Sequence, residues 1–421
     1  MRSYTAHSFA HVLSFSRGAL VVALCCIQFA ASRELEHDLH LELETSNEYF
    51  PHLPPTQHNF PCDRELGRRR AGEPKATSVH ALRPGDVEIV AAMGDSITAA
   101  LGERSATILT DPIEWRGSSW SIGGDDSFEQ MVTLPNILKE FNSAVTGYSK
   151  SFTVWKVPRI FGEPKDDLNV AVTGSHAYDI PAQARHLVYK LRKLPKKSFD
   201  DDWKLVTLWI GGNDLCAACE ADDERDFPAP HTKSIEAALD YLQANVPRLF
   251  VNVVLVIDVT KLHELDKIGT CKPLHMWLCP CSTSSPEKRE RVRGFAAEYQ
   301  SMVSQLVLQE KYTNSDNFTA VSQPFFSAIE IPVDDEGKPD RSYFAPDCFH
   351  FRTKAHEAAA IALWNNMLEP VAAKRTNWVP GEDINCPTAD RPYLATVKNT
   401  NLGNNLRVIT SDAPDTVSDA K

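Results

Sequence analysis

Five residues spread along the chain have the types that acyl transfer from an ester requires: Ser96, Gly174, Asn213, Asp347 and His350. That reaction needs a hydroxyl made nucleophilic by an imidazole, a carboxylate that fixes the imidazole's tautomer, and donors aimed at the developing oxyanion. Asp347 and His350 stand three apart in "DCFH", which lets the carboxylate meet one ring nitrogen while the other faces Ser96. The expected donors are the backbone N–H of Ser96, the backbone N–H of Gly174 and the side-chain amide of Asn213. Glycine at 174 permits a close backbone approach that a side chain could block.

Each residue has a plainer alternative. Ser96, in "AAMGDSITAALG", could simply cap a following helix. Its neighbour Asp95 could be taken for the acid, but adjacent side chains diverge, so Asp95 is expected to brace the turn through backbone hydrogen bonds. Asn213 could close a turn after a strand, with Asp214 capping the next helix. His356 rivals His350, but it falls inside a helical pattern and lacks an aspartate at the matching spacing. The chemical reading is preferred because all the roles are filled at once.

The elements that must position these groups are legible as apolar runs: 87–94, 168–174, 204–212, 251–259 and 318–326. Most are continuous rather than alternating, as in strands buried on both faces of a parallel sheet. Between them lie helical patterns, as in 179–194, where Ala184, Leu187, Val188, Leu191 and Leu194 share a side, and later in 234–246, 291–309 and 354–368. Alternating strands and helices imply an α/β fold with a doubly wound parallel sheet. Such sheets hold their ligands at the carboxyl ends of the strands, where Ser96, Gly174 and Asn213 fall.

The chain has 421 residues, 43% of them hydrophobic, with a net charge of −12. It can bury a full core, and its acidity argues against a nucleic-acid partner. Residues 1–32 combine Arg2 and Arg17 with a short apolar stretch and read as a secretory signal peptide, a retained anchor being the alternative. Residues 33–75 are expected to be an extension or propeptide, 76–398 the catalytic domain and 399–421 a flexible tail. An exported protein is expected, without a lipid-anchor signal at the polar terminus "SDAPDTVSDAK".

Eight of the ten cysteines lie beyond the signal: Cys62, Cys216, Cys219, Cys271, Cys279, Cys281, Cys348 and Cys386. In an exported chain disulfides are expected, and Cys216 with Cys219 could close a small local loop. Zinc at these cysteines with His275, calcium at "GGDDSFE" and a thiol redox role for Cys216-x-x-Cys219 are the alternatives set aside, so no metal or cofactor is expected. Asn317-Phe318-Thr319 is a glycosylation sequon. Trp115, Trp120, Ile122 and Trp209 could line an acyl pocket or meet a lipid surface, though tryptophans more often pack in cores.

The blocks "GDS", "NVAVTG", "GGND" and "DxxH", in this order, resemble the SGNH or GDSL hydrolases, and longer stretches such as "RGSSWSIGGDDSFEQMVTLPNIL" and "DCFHFRTKAHEAAAIALWNNMLEPV" resemble their animal phospholipase B branch. The resemblance covers roughly residues 60–398. It implies that the sheet lies in a three-layer α/β/α sandwich, and a metal-independent serine ester hydrolase acting on phospholipids and lysophospholipids, with transient contact at a lipid surface. Membrane-bound members carry tandem units and a C-terminal anchor, whereas this sequence holds one unit. Carbohydrate or short-chain acyl ester hydrolysis, as in other SGNH members, and a catalytically inactive lipid-binding protein are the alternative functions. Acyl position, head group and oligomeric state are not legible.

Overall fold

In a computed structural model, residues 57–400 are described, except 71, 156–167 and 221–223. The signal segment, most of the expected extension and the tail lie outside the described residues. From 57 onward the chain runs along the domain: Cys62 is disulfide-bonded to Cys386, and the Phe60 ring packs edge-on against Phe128 and Phe141.

Four apolar runs form one parallel sheet. Its strands are β1 (Val87–Gly94), β2 (Trp203–Trp209), β3 (Leu249–Val254) and β4 (Phe318–Gln323), paired in that order. Register brings Gly94 beside Trp209 and Val254 beside Gln323, so the strands end along one rim. Three of them end before the apolar run does, because the residues that follow turn away to build that rim.

The run 168–174 departs from expectation. It lies parallel to β1, with Val170 N–H donating to Ala92 (2.9 Å) and Val172 N–H to Gly94 (3.1 Å), yet only Asn169 bridges to Ala92 as in a ladder. The β1 ladder stops because the Gly94 N–H donates to Gln183 Oε1 and not to this run, and on the outer side the carbonyls of Asn169 and Ala171 accept from the Arg116 guanidinium. Asn169 also turns its own side-chain oxygen onto the Ala171 N–H.

Alternate residues of each strand face two separate cores. Val90, Leu205, Phe250 and Val321 meet helices α1 (Leu134–Phe141) and α7 (Thr353–Leu368) on one side. Ile89, Val206, Val251 and Ala320 meet α2 (Ile180–Leu191), α4 (Pro228–Asn245) and the end of α6 (Pro286–Val307) on the other. This is the three-layer α/β/α arrangement. Ala359, Leu363 and Met367 of α7 are fully buried, as their helical spacing predicts. Two further helices flank the rim: α3 (Gly212–Ala217) and α5 (Cys271–Leu278).

The local Cys216–Cys219 loop does not form. Cys216 is bonded to Cys279 and Cys219 to Cys281, with Cα separations of 4.5 and 5.4 Å, and Cys271 is bonded to Cys348. Residues three apart on a helical turn present their side chains outward beside one another, so both sulfurs of this turn face the adjoining 279–281 segment. Among the described residues no helix is long and apolar enough to cross a membrane.

Candidate active site

The turn after β1 is held from several directions. Gly94 has its N–H bonded to Gln183 Oε1 (2.9 Å) and its carbonyl to Gln183 Nε2 (2.8 Å), a bidentate clasp from α2. A Cβ at 94 would lie 2.5 Å from both Thr98 Oγ1 and the Trp209 carbonyl, which excludes any other residue there. Asp95 turns inward and accepts from Ile97 N–H (3.0 Å). Burial raises its pKa to about 6, against the lowering effect of that N–H. Asp95 thus braces the turn.

Ser96 Oγ lies 2.8 Å from His350 Nε2, and His350 Nδ1 lies 2.5 Å from Asp347 Oδ2. The loop that carries this pair is fixed at both ends: Ala345 N–H donates to the His350 carbonyl, and Cys348 is bonded to Cys271. On its far side the Cys348 carbonyl accepts from His275 Nε2 at 2.9 Å, while His275 Nδ1 meets Asp266 at 2.8 Å. His275, set aside as a zinc ligand in the sequence, here supports the loop. Burial works to raise the Asp347 pKa, but the charge and hydrogen bond of His350, with the N–H groups of Phe349 and His350, outweigh it and leave it lowered. Burial works equally against a charged His350, and Asp347 reverses that, leaving the imidazole raised.

His356 is committed to the core. It is fully buried and its Nδ1 accepts the Trp120 N–H at 3.2 Å. Burial lowers its pKa to about 3, so it stays neutral.

Gly174 and Asn213 reach the same rim. Gly174 has φ of +83° with open space where a Cβ would stand, so the glycine supplies a left-handed backbone rather than relief from crowding within the protein. Asn213 enters α3 after Gly211, whose φ is +121°. A side chain at 211 would also meet His231 Nε2 at 2.8 Å. One Asn213 amide hydrogen goes to the Ser175 carbonyl (2.8 Å), leaving the second for a ligand. Asp214 does not act as a simple helix cap: both of its oxygens accept from Ala177 N–H, at 3.0 and 3.1 Å.

An apolar pocket opens beside Ser96, lined by Trp209, Leu262, Ile329, Ile331, Phe349 and Trp378 among others. Of the aromatic and aliphatic residues singled out in sequence, only Trp209 lines it. Trp120 and Ile122 are fully buried in the core, and Trp115 packs against Phe152. The residues that replace them come from loops after β3 and β4, from the 344–351 turn and, for Trp378, from the segment after α7, and no local pattern marks them.

His176, Asp214 and Asp226 have their ligand atoms within 4.8 Å of one another, the closest approach to a metal-binding set among the described residues. These atoms are already engaged: His176 Nδ1 faces Asp226 at 2.9 Å, and Asp214 holds Ala177. The cluster is thus held together by contacts among its own members and the Ala177 backbone.

The family model for GDSL-like lipases and acylhydrolases matches residues 90–363. "Phospholipase B1, membrane-associated" from Mus musculus is 41% identical over 338 residues, covering 78% of this chain and 22% of its own length. The Homo sapiens protein of that name is 42% identical over 337 residues, covering 78% and 23%. The chain therefore spans less than a quarter of the curated relatives it matches. A solved extracellular lipase from Streptomyces rimosus, 14% identical over 66% of this chain and 98% of its own with a TM-score of 0.30, is too distant for residue roles to be read across.

Proposed function

The chain belongs to the GDSL-like lipase/acylhydrolase family, and on that premise we propose that it hydrolyses acyl esters of phospholipids and lysophospholipids through Ser96, His350 and Asp347. The observation that carries the proposal is the unbroken hydrogen-bonded relay from Asp347 through His350 to Ser96, opening on an apolar pocket.

Ser96 Oγ attacks the ester carbonyl carbon while His350 Nε2 takes the hydroxyl proton. Asp347 keeps Nδ1 protonated and offsets the imidazolium charge. The carbonyl oxygen, now an oxyanion, is met by the N–H groups of Ser96 and Gly174 and the free amide hydrogen of Asn213. His350 returns the proton to the leaving alcohol, which departs as the lysolipid or glycerophospho moiety. Water, deprotonated by His350, then attacks the acyl carbon, and His350 returns that proton to Ser96 Oγ as the fatty acid leaves. Each donor is expected to lower the barrier by a few kcal/mol, and the pocket takes the acyl chain.

The four disulfides support an exported or lumenal setting. Glycosylation at Asn317, exposed before β4, belongs to the same proposal.

Purified protein should release fatty acid from lysophosphatidylcholine, and a fluorophosphonate probe should label it in wild type but not in Ser96→Ala. Turnover of p-nitrophenyl acetate alone would favour a short-ester hydrolase instead. A folded wild type that resists the probe would mark a lipid-binding protein without catalysis.

A further inference from the structure

We propose that His176 is a positioning residue for oxyanion stabilisation: clasped by Asp226 and Asp214, it holds the Gly174 loop against the helix that presents Asn213. The inference rests on the reading of Gly174 and Asn213 as oxyanion donors, and it adds what keeps those two donors in register.

The donors belong to separate segments. Gly174 sits on the turn that follows the outer edge of β1, and Asn213 on the first turn of α3. Hydrogen-bonded donors act at full strength only when prealigned with the charge that forms, and a displacement near 1 Å costs about 100-fold in rate. Three ties cross between the segments within three residues of the donors: Asn213 Nδ2 to the Ser175 carbonyl at 2.8 Å, Ala177 N–H to Asp214 at 3.0 Å, and His176 Nδ1 to Asp214 at 3.9 Å. Each segment thus grips the other next to the atom it contributes.

His176 extends the grip to a third element. Its Nδ1 meets Asp226 Oδ1 at 2.9 Å, and its ring stacks on Tyr178 with centroids 5.0 Å apart. The Arg225 guanidinium lies 4.3 Å from the other aromatic ring of that stack. Asp226 is itself tied down, its backbone carbonyl accepting from the buried Tyr299 hydroxyl of α6. Residues 225–226 therefore press the 174–178 turn onto α3.

Carboxylates surround this imidazole. Asp214 and Asp226 face Nδ1, Asp179 accepts the His176 backbone N–H at 3.0 Å, and Asp95 contributes charge from the β1 turn. Arg225 is the nearby cation, and it faces Tyr178. Burial works against a charged His176, but Asp226 and Asp214 outweigh it and hold its pKa above the ordinary 6.5. The imidazolium form fastens the clamp, and the fastening weakens as pH rises through that raised value.

The test measures kcat, KM and their pH profiles on one soluble phospholipid substrate, with melting temperature as the folding control. His176→Ala should lower kcat about tenfold with KM unchanged, because the donors engage only the transition state. Affinity for a boronic acid that forms a tetrahedral adduct on Ser96 should fall by the same factor. In Asp226→Asn the alkaline decline of kcat should move to lower pH, since one carboxylate holding the proton is gone. In His176→Gln, which keeps a donor toward Asp226 without a titrating charge, that decline should vanish while part of kcat returns.

Asn213→Ala serves as the reference. Loss of kcat in Asn213→Ala with wild-type kcat, boronate affinity and alkaline profile in His176→Gln and Asp226→Asn would overturn the positioning role alone. Wild-type kcat in Asn213→Ala would withdraw the donor assignment itself, and this inference with it.

Discussion

The Asp347 carboxylate binds His350 twice: Oδ1 accepts the His350 backbone N–H at 2.9 Å, and Oδ2 meets the ring Nδ1 at 2.5 Å. The three-residue spacing makes this possible, since a tight turn brings residue i+3 back over residue i. Backbone and imidazole are thus oriented by one group. Asp347→Asn should leave the turn folded, because the amide oxygen can still accept from the Phe349 and His350 N–H groups. Its NH2 would face Nδ1 and force the wrong tautomer, so kcat should fall by roughly 10³- to 10⁴-fold with little change in KM. Steady-state kinetics on a phospholipid ester checks this.

Activity should rise with pH on the acid side. In the proposed mechanism His350 takes the Ser96 proton only when neutral. Its burial favours that form, but the Asp347 charge and hydrogen bond outweigh it, so the acid-limb midpoint of kcat/KM should lie above 6.5. In Asp347→Asn the midpoint should shift down. A midpoint in wild type well below 6.5 would contradict the pairing.

Stability should fall in mild acid for a separate reason. His231 and His356 are each held neutral by burial, with pKa values lowered to about 3. The unfolded chain binds protons at both near pH 6.5 and the folded chain does not. Their contribution is therefore complete above 6.5 and is lost as pH falls toward 3, at about 1.4 kcal/mol per pH unit for each histidine. His356→Gln keeps an acceptor for the Trp120 N–H and should flatten this slope by one histidine's share in urea unfolding at pH 4 to 7.

The pocket should set acyl-chain preference. Leu262→Trp adds volume beside Trp209 and Phe351. Hydrolysis of long-chain lysophospholipid should fall about tenfold or more, since a misfit of even one methylene in a hydrophobic substrate pocket is worth about 1–3 kcal/mol. Turnover of an acetyl ester should stay within about twofold. Equal losses on both substrates would place the acyl chain elsewhere.

Peptide mapping without reduction should recover Cys216 joined to Cys279 and Cys219 joined to Cys281. Replacing Cys219 and Cys281 together by serine leaves Cys216–Cys279 closing nearly the same loop, so only the small ring between the two bridges opens, worth about 2 kcal/mol by loop entropy. A lowered melting temperature measures it. Recovery of a Cys216–Cys219 loop would refute the connectivity.

Much of the site was legible because its residues sit on elements that local pattern specifies. Continuous apolar runs marked β1, β2, β3 and β4, and the residues just past two of them, Ser96 and Asn213, belong to the rim. The run at 168–174 misled, because Gln183, far away in sequence, takes the Gly94 N–H that would have continued its ladder with β1, while Arg116 holds its outer carbonyls. Tryptophan content could not single out the pocket for a related reason: Trp120 and Trp209 are both buried and pack edge-on with ring centroids 5.7 Å apart, and only their place in the fold puts Trp209 on the pocket wall.

The sequence by itself determined the alternation of strands and helices and the short-range pairing of Asp347 with His350, both of which depend on neighbours a few residues away. Only the tertiary structure decided that His350 Nε2 meets Ser96 across 254 residues, which cysteines join, that His356 answers to Trp120, and that His176 lies between Asp226 and Asp214. Those contacts close loops of dozens to hundreds of residues. Their partners are chosen by how two cores pack on one sheet, which no local spacing records.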